Sequence, residues 1–453
     1  MSLPVIVSGA GPCGLLCAVV LQKYSVPFIL VERVEESKLT ADVGSGFDMA
    51  PTAVRIFEHL GLPQWKERMS NFSGITIMSM SGDHIRLIPA TELPGQEGQE
   101  AYATKRSTLQ QCLVEKLGSN LVSGSNAHFG VFVTAHEEAS DGSKVTVTLS
   151  NGITLEGRAL LVCEGWRSLT RERILEGGSS PGADPVNFCN IAMWWGKCEV
   201  SPTLKDLLRP TQTAKEGGSF CMFLGDGSEP GNFVAAPAKD GDKDFILWSA
   251  AQQALVEPGQ TDDLTRRGGV RGEQVKEELQ DVLRRRCELL QEIVKATPAS
   301  DVTKVGLYDR KNLSQSSVSP TGLVALLGDA SHPQTPFLGQ GCNMALADAF
   351  AVCTRLGVAN NKTEGTGAVG SVRAALSCLD AQERKMFARK TVLNARYIAR
   401  LMTSDSSIKG FVMRKSFQYL PTSFIFPRVD EGNRTFVNQA LKDCSLPILP
   451  ENL

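Results

Sequence analysis

Apolar and polar positions along the amino-terminal stretch alternate between two periods. Residues 5–8 form a short apolar run stopped by Gly9, residues 13–23 carry mostly apolar side chains at helical spacing, and residues 27–31 resume as an apolar run. Strand, helix and strand in that order make a βαβ unit, closed here by Glu32 and Arg33. Pro51 starts a predicted helix over 51–60 that stops before Gly61, since proline fits the first helical turn and glycine the exit. A helix over 107–117 follows, then strands at 131–135, 145–149 and 155–162 with a turn at Asn151-Gly152.

From residue 187 to 250 the pattern changes. The runs at 191–195, 219–224 and 244–248 predict strands of a second sheet, divided by links rich in Gly, Asp and Lys. Residues 273–294 predict one charged amphipathic helix, with Val275, Leu279, Val282, Leu283, Leu290 and Ile293 toward one side. A strand at 323–327 leads into Gly328-Asp329, helices follow at 343–356 and 372–401, and the tail is rich in proline.

A chain of 453 residues is long for one core, so two closely packed domains are expected. Lys and Arg number 47 against 49 Asp and Glu, without blocks of like charge, which argues against a nucleic-acid partner held through phosphates. The twelve cysteines include no CxxC pair and the five histidines no HxxxH pair, so no metal site is expected. The first strand begins so early that no leader peptide is expected, and the apolar stretches look shorter than a membrane span of roughly 18 residues. These features predict a cytoplasmic enzyme with no integral membrane segment. Peripheral membrane association and oligomeric state stay open.

The sharpest local motif is Gly9-Ala10-Gly11-Pro12-Cys13-Gly14, directly after the first strand. The first glycine permits a tight turn, the second lets a phosphate approach the backbone, and the third lets helix and strand lie close. Glu32, at the end of the second strand, can accept hydrogen bonds from an adenosine ribose. This unit alone suits NAD or FAD.

A second motif, Gly328-Asp329-Ala330-Ser331-His332-Pro333, decides between them. It runs on through Pro336-Phe337-Leu338-Gly339-Gln340-Gly341-Cys342-Asn343. A strand ending in Gly-Asp offers a carboxylate to cofactor hydroxyls. The free N–H groups at the start of the next helix favour negative charge on a reduced flavin.

With these motifs the sequence resembles the para-hydroxybenzoate hydroxylase-like flavoprotein monooxygenases over nearly its whole length. Gly9, Gly11, Gly14, Glu32 and Arg33 match the front fingerprint, and Gly44-Ser45-Gly46 and Pro51 to Arg55 resemble the segment after it. Arg106 resembles the family arginine that contacts FAD. Gly328 to Ala349 is the most specific match, and through it the resemblance implicates Asp329, Gly339, Gly341, Cys342 and Asn343 in cofactor binding beside Pro12 and Cys13. The middle motif departs from the pattern: Cys163-Glu164-Gly165-Trp166-Arg167-Ser168 carries Glu164 where aspartate is expected.

The resemblance implies a fold of mixed α/β and α+β class. A Rossmann-like FAD-binding domain is interwoven with a mixed-sheet substrate domain and followed by carboxy-terminal helices. The expected division is 1–180 for the first part of the FAD domain with inserted substrate-side elements, 181–300 mainly for substrate, 301–365 for the returning FAD part, and 366–453 for helices and tail. It also implies that NADPH or NADH reduces FAD, and that a C4a-hydroperoxyflavin passes one atom of dioxygen to a small organic substrate. Met193, Trp194, Trp195, Phe220, Met222, Phe233 and Pro336 are the candidate chamber residues, while His332 is expected to be mainly structural. An oxidase, dehydrogenase or halogenase on the same fold, or a noncatalytic carrier, is the competing reading, and no catalytic side chain stands out.

Overall fold

Strand β1 (Val5–Ser8) lies at the centre of a parallel sheet. It is flanked by β2 (Phe28–Glu32) and then β7 (Ala127–Phe129) on one side, and by β11 (Ala159–Val162) and then β18 (Val324–Leu326) on the other. The structure is a computed structural model and describes residues 3–42, 46–93, 101–171, 186–208, 218–225, 231–240, 243–254, 269–310, 315–362, 368–425 and 429–449.

These strands read as unbroken apolar runs because both faces are covered. Val5, Val7, Leu30, Leu161 and Ala325 face helices α1 (Pro12–Lys23) and α6 (Gly341–Lys362). Ile6, Val31, Leu160, Val162 and Leu326 face a small antiparallel sheet of β8 (Val133–Glu138), β9 (Val145–Leu149) and β10 (Thr154–Gly157). The single strand expected over 155–162 is therefore two. The chain crosses from one sheet to the other at Gly157, where a Cβ would stand 2.8 Å from Ile6.

A ten-stranded sheet forms the second layer. Its order is β16 (Val270–Arg271), β17 (Thr303–Arg310), β12 (Val186–Glu199), β15 (Lys243–Gln253), β14 (Asn232–Asp240), β13 (Gly218–Leu224), β4 (Ser70–Ser79), β6 (Ala101–Lys105) and β3 (Gly46–Met49), with β5 (His84–Pro89) paired to β4. One face packs on α4 (Glu273–Leu283) and α5 (Glu288–Ala296). The single helix expected over 273–294 breaks between these two, where the Cys287 amide donates to the Met80 carbonyl instead of continuing the helical ladder.

The opposite face meets α7 (Gln382–Met402) and α8 (Ser407–Tyr419). Two further helices, α2 (Pro51–Leu60) and α9 (Val429–Asp443), pack against α6, while α3 (Arg106–Leu117) packs on α1. By length and composition the stretch Gly341–Asn360 passes as a membrane span, contrary to the sequence expectation, but 78% of its apolar window is buried. Sandwiched between α1, α2 and α9, it is the core helix of the parallel layer.

Candidate active site

The front glycines divide their work by space. Gly9 has φ +101°, and a Cβ there would lie 2.4 Å from the Cys163 carbonyl oxygen. On Gly14 it would lie 1.8 Å from the Gly9 oxygen, so helix and strand touch through bare backbone. Gly11 alone faces open space, its nearest neighbour being the Arg106 guanidinium at 3.8 Å. A pyrophosphate could approach the backbone there. Pro12 opens α1 where no N–H is required, leaving the remaining amides of the first turn free.

Glu32 is held ready at the strand end. Its Oε2 accepts from the Ala10 amide at 2.5 Å and its Oε1 from the Val34 amide at 2.9 Å, which leaves lone pairs for ribose hydroxyls. Arg106 projects from the start of α3 with its side chain exposed, and Glu32, Cys342, Arg33 and Asp329 are the charged or ionisable groups nearest it. Asp329 Oδ1 stands 3.7 Å from a Cβ built on Gly341, at the first turn of α6. The two glycine motifs, some three hundred residues apart in sequence, thus come together around Arg106. Burial raises the Asp329 carboxyl, opposed by His332 and Arg106.

The Asn343 side chain is engaged within the protein. Its Oδ1 accepts from the Ala50 amide, and its Nδ2 donates to the carbonyls of Asp48 and Gly339, each at 2.9 Å. The side chain staples the rear loop to β3, so its placement of that loop is indirect. Cys342 beside it is partly buried, its thiol pushed up by burial. Gly44 and Ser45 lie outside the described residues; Gly46 starts β3.

Sequence reasoning missed Asp48. It follows Phe47 in β3, partly buried, and its Oδ2 lies 3.0 Å from a Cβ built on Gly339. No carboxyl oxygen of Asp48 finds a hydrogen-bond donor among the described residues, and burial pushes the group up to about 7. Only its apposition to the rear loop reveals it. No spacing in the sequence does.

Glu164 resolves its own departure from pattern. Its carboxylate accepts from the hydroxyls of Ser8 at 2.6 Å, Ser168 at 2.6 Å and Thr170 at 2.8 Å, and from the Thr170 amide at 3.3 Å. Facing inward, it ties the middle loop to the end of β1. Arg171 carries the tie onward, donating to the carbonyls of Ala330 and Ser331 at 2.6 Å each.

His332 sits behind the rear loop in a buried network. Its Nε2 meets Asp348 Oδ2 at 2.7 Å, while Arg384 Nη2 meets Asp348 Oδ1 at 2.6 Å. Burial alone would raise the Asp348 carboxyl, but Arg384 and His332 hold it down at about 2. Another grouping was invisible in the scattered cysteines. The sulfurs of Cys13, Cys17 and Cys163 lie within 4.8 Å of one another in the core beneath the front glycines. The Cys163 sulfur and burial push Cys13 up; Cys13 lowers Cys163, but Cys17 and burial raise it further; burial chiefly raises Cys17, so all three sit as protonated thiols.

The candidate chamber residues fall on two faces of the large sheet, because neighbours in a strand point to opposite sides. Phe337 of the rear loop packs with Phe220 and Met222 in one cluster and with Met193 and Trp195 in another. Trp194 and Phe233 point the other way, into the core under α4 and α5, where Phe233 stacks on Trp248 at 5.5 Å. Pro336 is exposed on the rear loop.

Residues 2–218 and 264–369 match the FAD binding domain family, which includes the two glycine motifs and the Arg106 segment. The chain belongs to this family. It is 25% identical over 352 residues to the aurachin C monooxygenase/isomerase of Stigmatella aurantiaca, covering 77% of this chain and 79% of that protein. The FAD-dependent urate hydroxylase of Klebsiella pneumoniae is 26% identical over 352 residues with the same coverage. In fold, Klebsiella pneumoniae HpxO complexed with FAD and uric acid superposes with a TM-score of 0.73 at 20% identity, covering 96% of this chain and 97% of that one. The protein is an FAD-dependent oxidoreductase of the monooxygenase type, with the aromatic-hydroxylase-like architecture.

Proposed function

We propose that the protein uses NADH or NADPH as reductant and inserts one atom of dioxygen into an aromatic or other apolar small organic substrate. The observation that carries this reading is Phe337, which joins the rear loop to the apolar face bearing Met193, Trp195, Phe220 and Met222. Bound FAD would supply the oxygen-activating chemistry. The chain's own part is to hold it, with Gly11, Arg106 and Glu32 at the adenosine half and Asp329 and the first amides of α6 at the flavin half.

Around the substrate, the sheet face and Phe337 exclude water. The Trp195 indole N–H is buried and finds no acceptor among the described residues, so it is free to orient a carbonyl or hydroxyl of the substrate. Asp48, pushed up to about 7 by burial, can take up or release a proton near neutral pH beside the same loop. In this reading residues 1–180 and 301–365 serve the cofactor, 181–300 mainly serve the substrate, and 366–453 cover the chamber. All twelve cysteines are free, which supports a reducing compartment such as the cytoplasm.

The test is NAD(P)H oxidation by FAD-loaded protein across a panel of aromatic and apolar compounds. A substrate should accelerate oxidation, Trp195→Phe should raise its KM, and Trp194→Phe should leave KM unchanged while lowering stability. Equal effects of both substitutions on KM would overturn the assignment of the chamber face.

A further inference from the structure

Helix α8 is apolar on two opposite sides. Its inner side, with Gly410, Met413 and Phe417, packs into the cluster that contains Phe220, Met222 and Phe337. Its outer side carries Ile408, Phe411, Val412 and Tyr419, which are 77%, 55%, 53% and 70% exposed. At 100° per residue these four and Lys415 fall on one stripe, diametrically across from the inner one. Leu420 and Phe424 extend the exposed surface beyond the helix end.

The charges around this stripe are one-sided. Residues 407–419 hold three Lys and Arg, Lys409, Arg414 and Lys415, and no Asp or Glu, in a chain whose net charge is −2. The Lys415 ammonium stands over the Phe411 ring, 5.9 Å from its centroid, and over the Tyr419 ring at 5.3 Å, so the stripe carries its positive charge beside its aromatics. Lys409 is exposed beside them.

We propose that the outer face of α8, continued through Phe424, docks on an anionic lipid surface, with the apolar stripe in the acyl boundary and the lysines at the headgroups. Aromatic and aliphatic side chains on one face with lysines at its margin is the composition of an interfacial helix. A second copy of this chain fits poorly, because a two-fold contact through this stripe would bring the basic residues of the two helices toward one another with no acidic residue of α8 to offset them. The placement adds a consequence that rests on the proposed function: a membrane-dissolved substrate would arrive at the helix whose inner side helps enclose the chamber.

The experiment is flotation of full-length, FAD-loaded protein with phosphatidylcholine vesicles, with and without phosphatidylserine. The expected result is binding that requires phosphatidylserine and falls as salt rises. The variant Phe411→Ser/Val412→Ser should lose at least about tenfold in binding, and Lys409→Glu/Lys415→Glu should abolish the phosphatidylserine preference. Absence of flotation on either vesicle would overturn the proposal. So would a concentration-dependent dimer that disappears in Phe411→Ser/Val412→Ser, which would assign the face to a second copy. Because vesicle binding is read without turnover, its failure and the failure of the proposed reaction are separate results.

Discussion

The Asp48 carboxyl lies against Gly339, its Oδ2 3.0 Å from where a Cβ would stand on that glycine. Gly339 has φ +62° and carries the turn that precedes α6, so a carboxyl without donors among the described residues touches the rear glycine loop. Any side chain at 339 would press on it.

Asp48 makes stability depend on pH in a stated direction. Burial raises its folded value from 3.8 to about 7. A group raised in this way favours the folded state below its unfolded value, and that contribution is lost as pH rises through about 7. The thermal stability of the wild type should therefore fall between about pH 4 and about pH 8 relative to Asp48→Asn. Parallel melting profiles for the two proteins would contradict the burial argument.

Gly11 and Gly14 should separate binding from folding. Gly11→Leu enters the open groove, so the fold should survive while the Kd for FAD rises at least about tenfold, equivalent to ~1.4 kcal/mol. Gly14→Ala drives a methyl into the Gly9 carbonyl and should prevent folding, since the clash is with backbone at 1.8 Å. Fluorescence titration and circular dichroism distinguish the outcomes. FAD affinity unchanged in a folded Gly11→Leu protein would remove the pyrophosphate from that groove.

Replacing Glu164 should act on the middle loop. Glu164→Ala leaves the donors of Ser8, Ser168 and Thr170 without their acceptor, at a cost of about 2–4 kcal/mol in total. Glu164→Asp keeps the charge but withdraws it by one methylene, and should recover only part of that loss. Urea unfolding measures both. Equal stability of Glu164→Ala and wild type would show that the network does not hold the loop.

The Asp348 network sets an acid limit. With its folded value near 2 and an unfolded value of about 3.9, Asp348 stabilises the fold above the unfolded value and loses that contribution as pH falls toward 2. Arg384→Met strands the carboxylate in the core and should cost roughly 3–5 kcal/mol. The acid-unfolding midpoint should move to higher pH in this variant. An unchanged midpoint would mean that Arg384 does not hold the carboxyl down.

Much of the fold was legible because it follows local rules. The parallel strands announce themselves as apolar runs, and the front glycines sit where backbone must touch backbone. What escaped the sequence depends on contacts between distant segments. Nothing local tells that Cys287 will donate to Met80 and break a helix, or that Asp48 will meet Gly339 across nearly three hundred residues. The same limit explains Trp194 and Trp195. Adjacent and chemically alike, they face opposite sides of a sheet whose orientation only the packing of Phe337 reveals.

Turnover of FAD-loaded protein with NAD(P)H, a substrate that stimulates it, and isotopically labelled dioxygen tests the central claim most directly. One labelled oxygen atom should appear in each molecule of product. A product free of label, formed while FAD is bound and NAD(P)H is consumed, would contradict oxygen insertion and turn the same groove into the site of a dehydrogenase or oxidase.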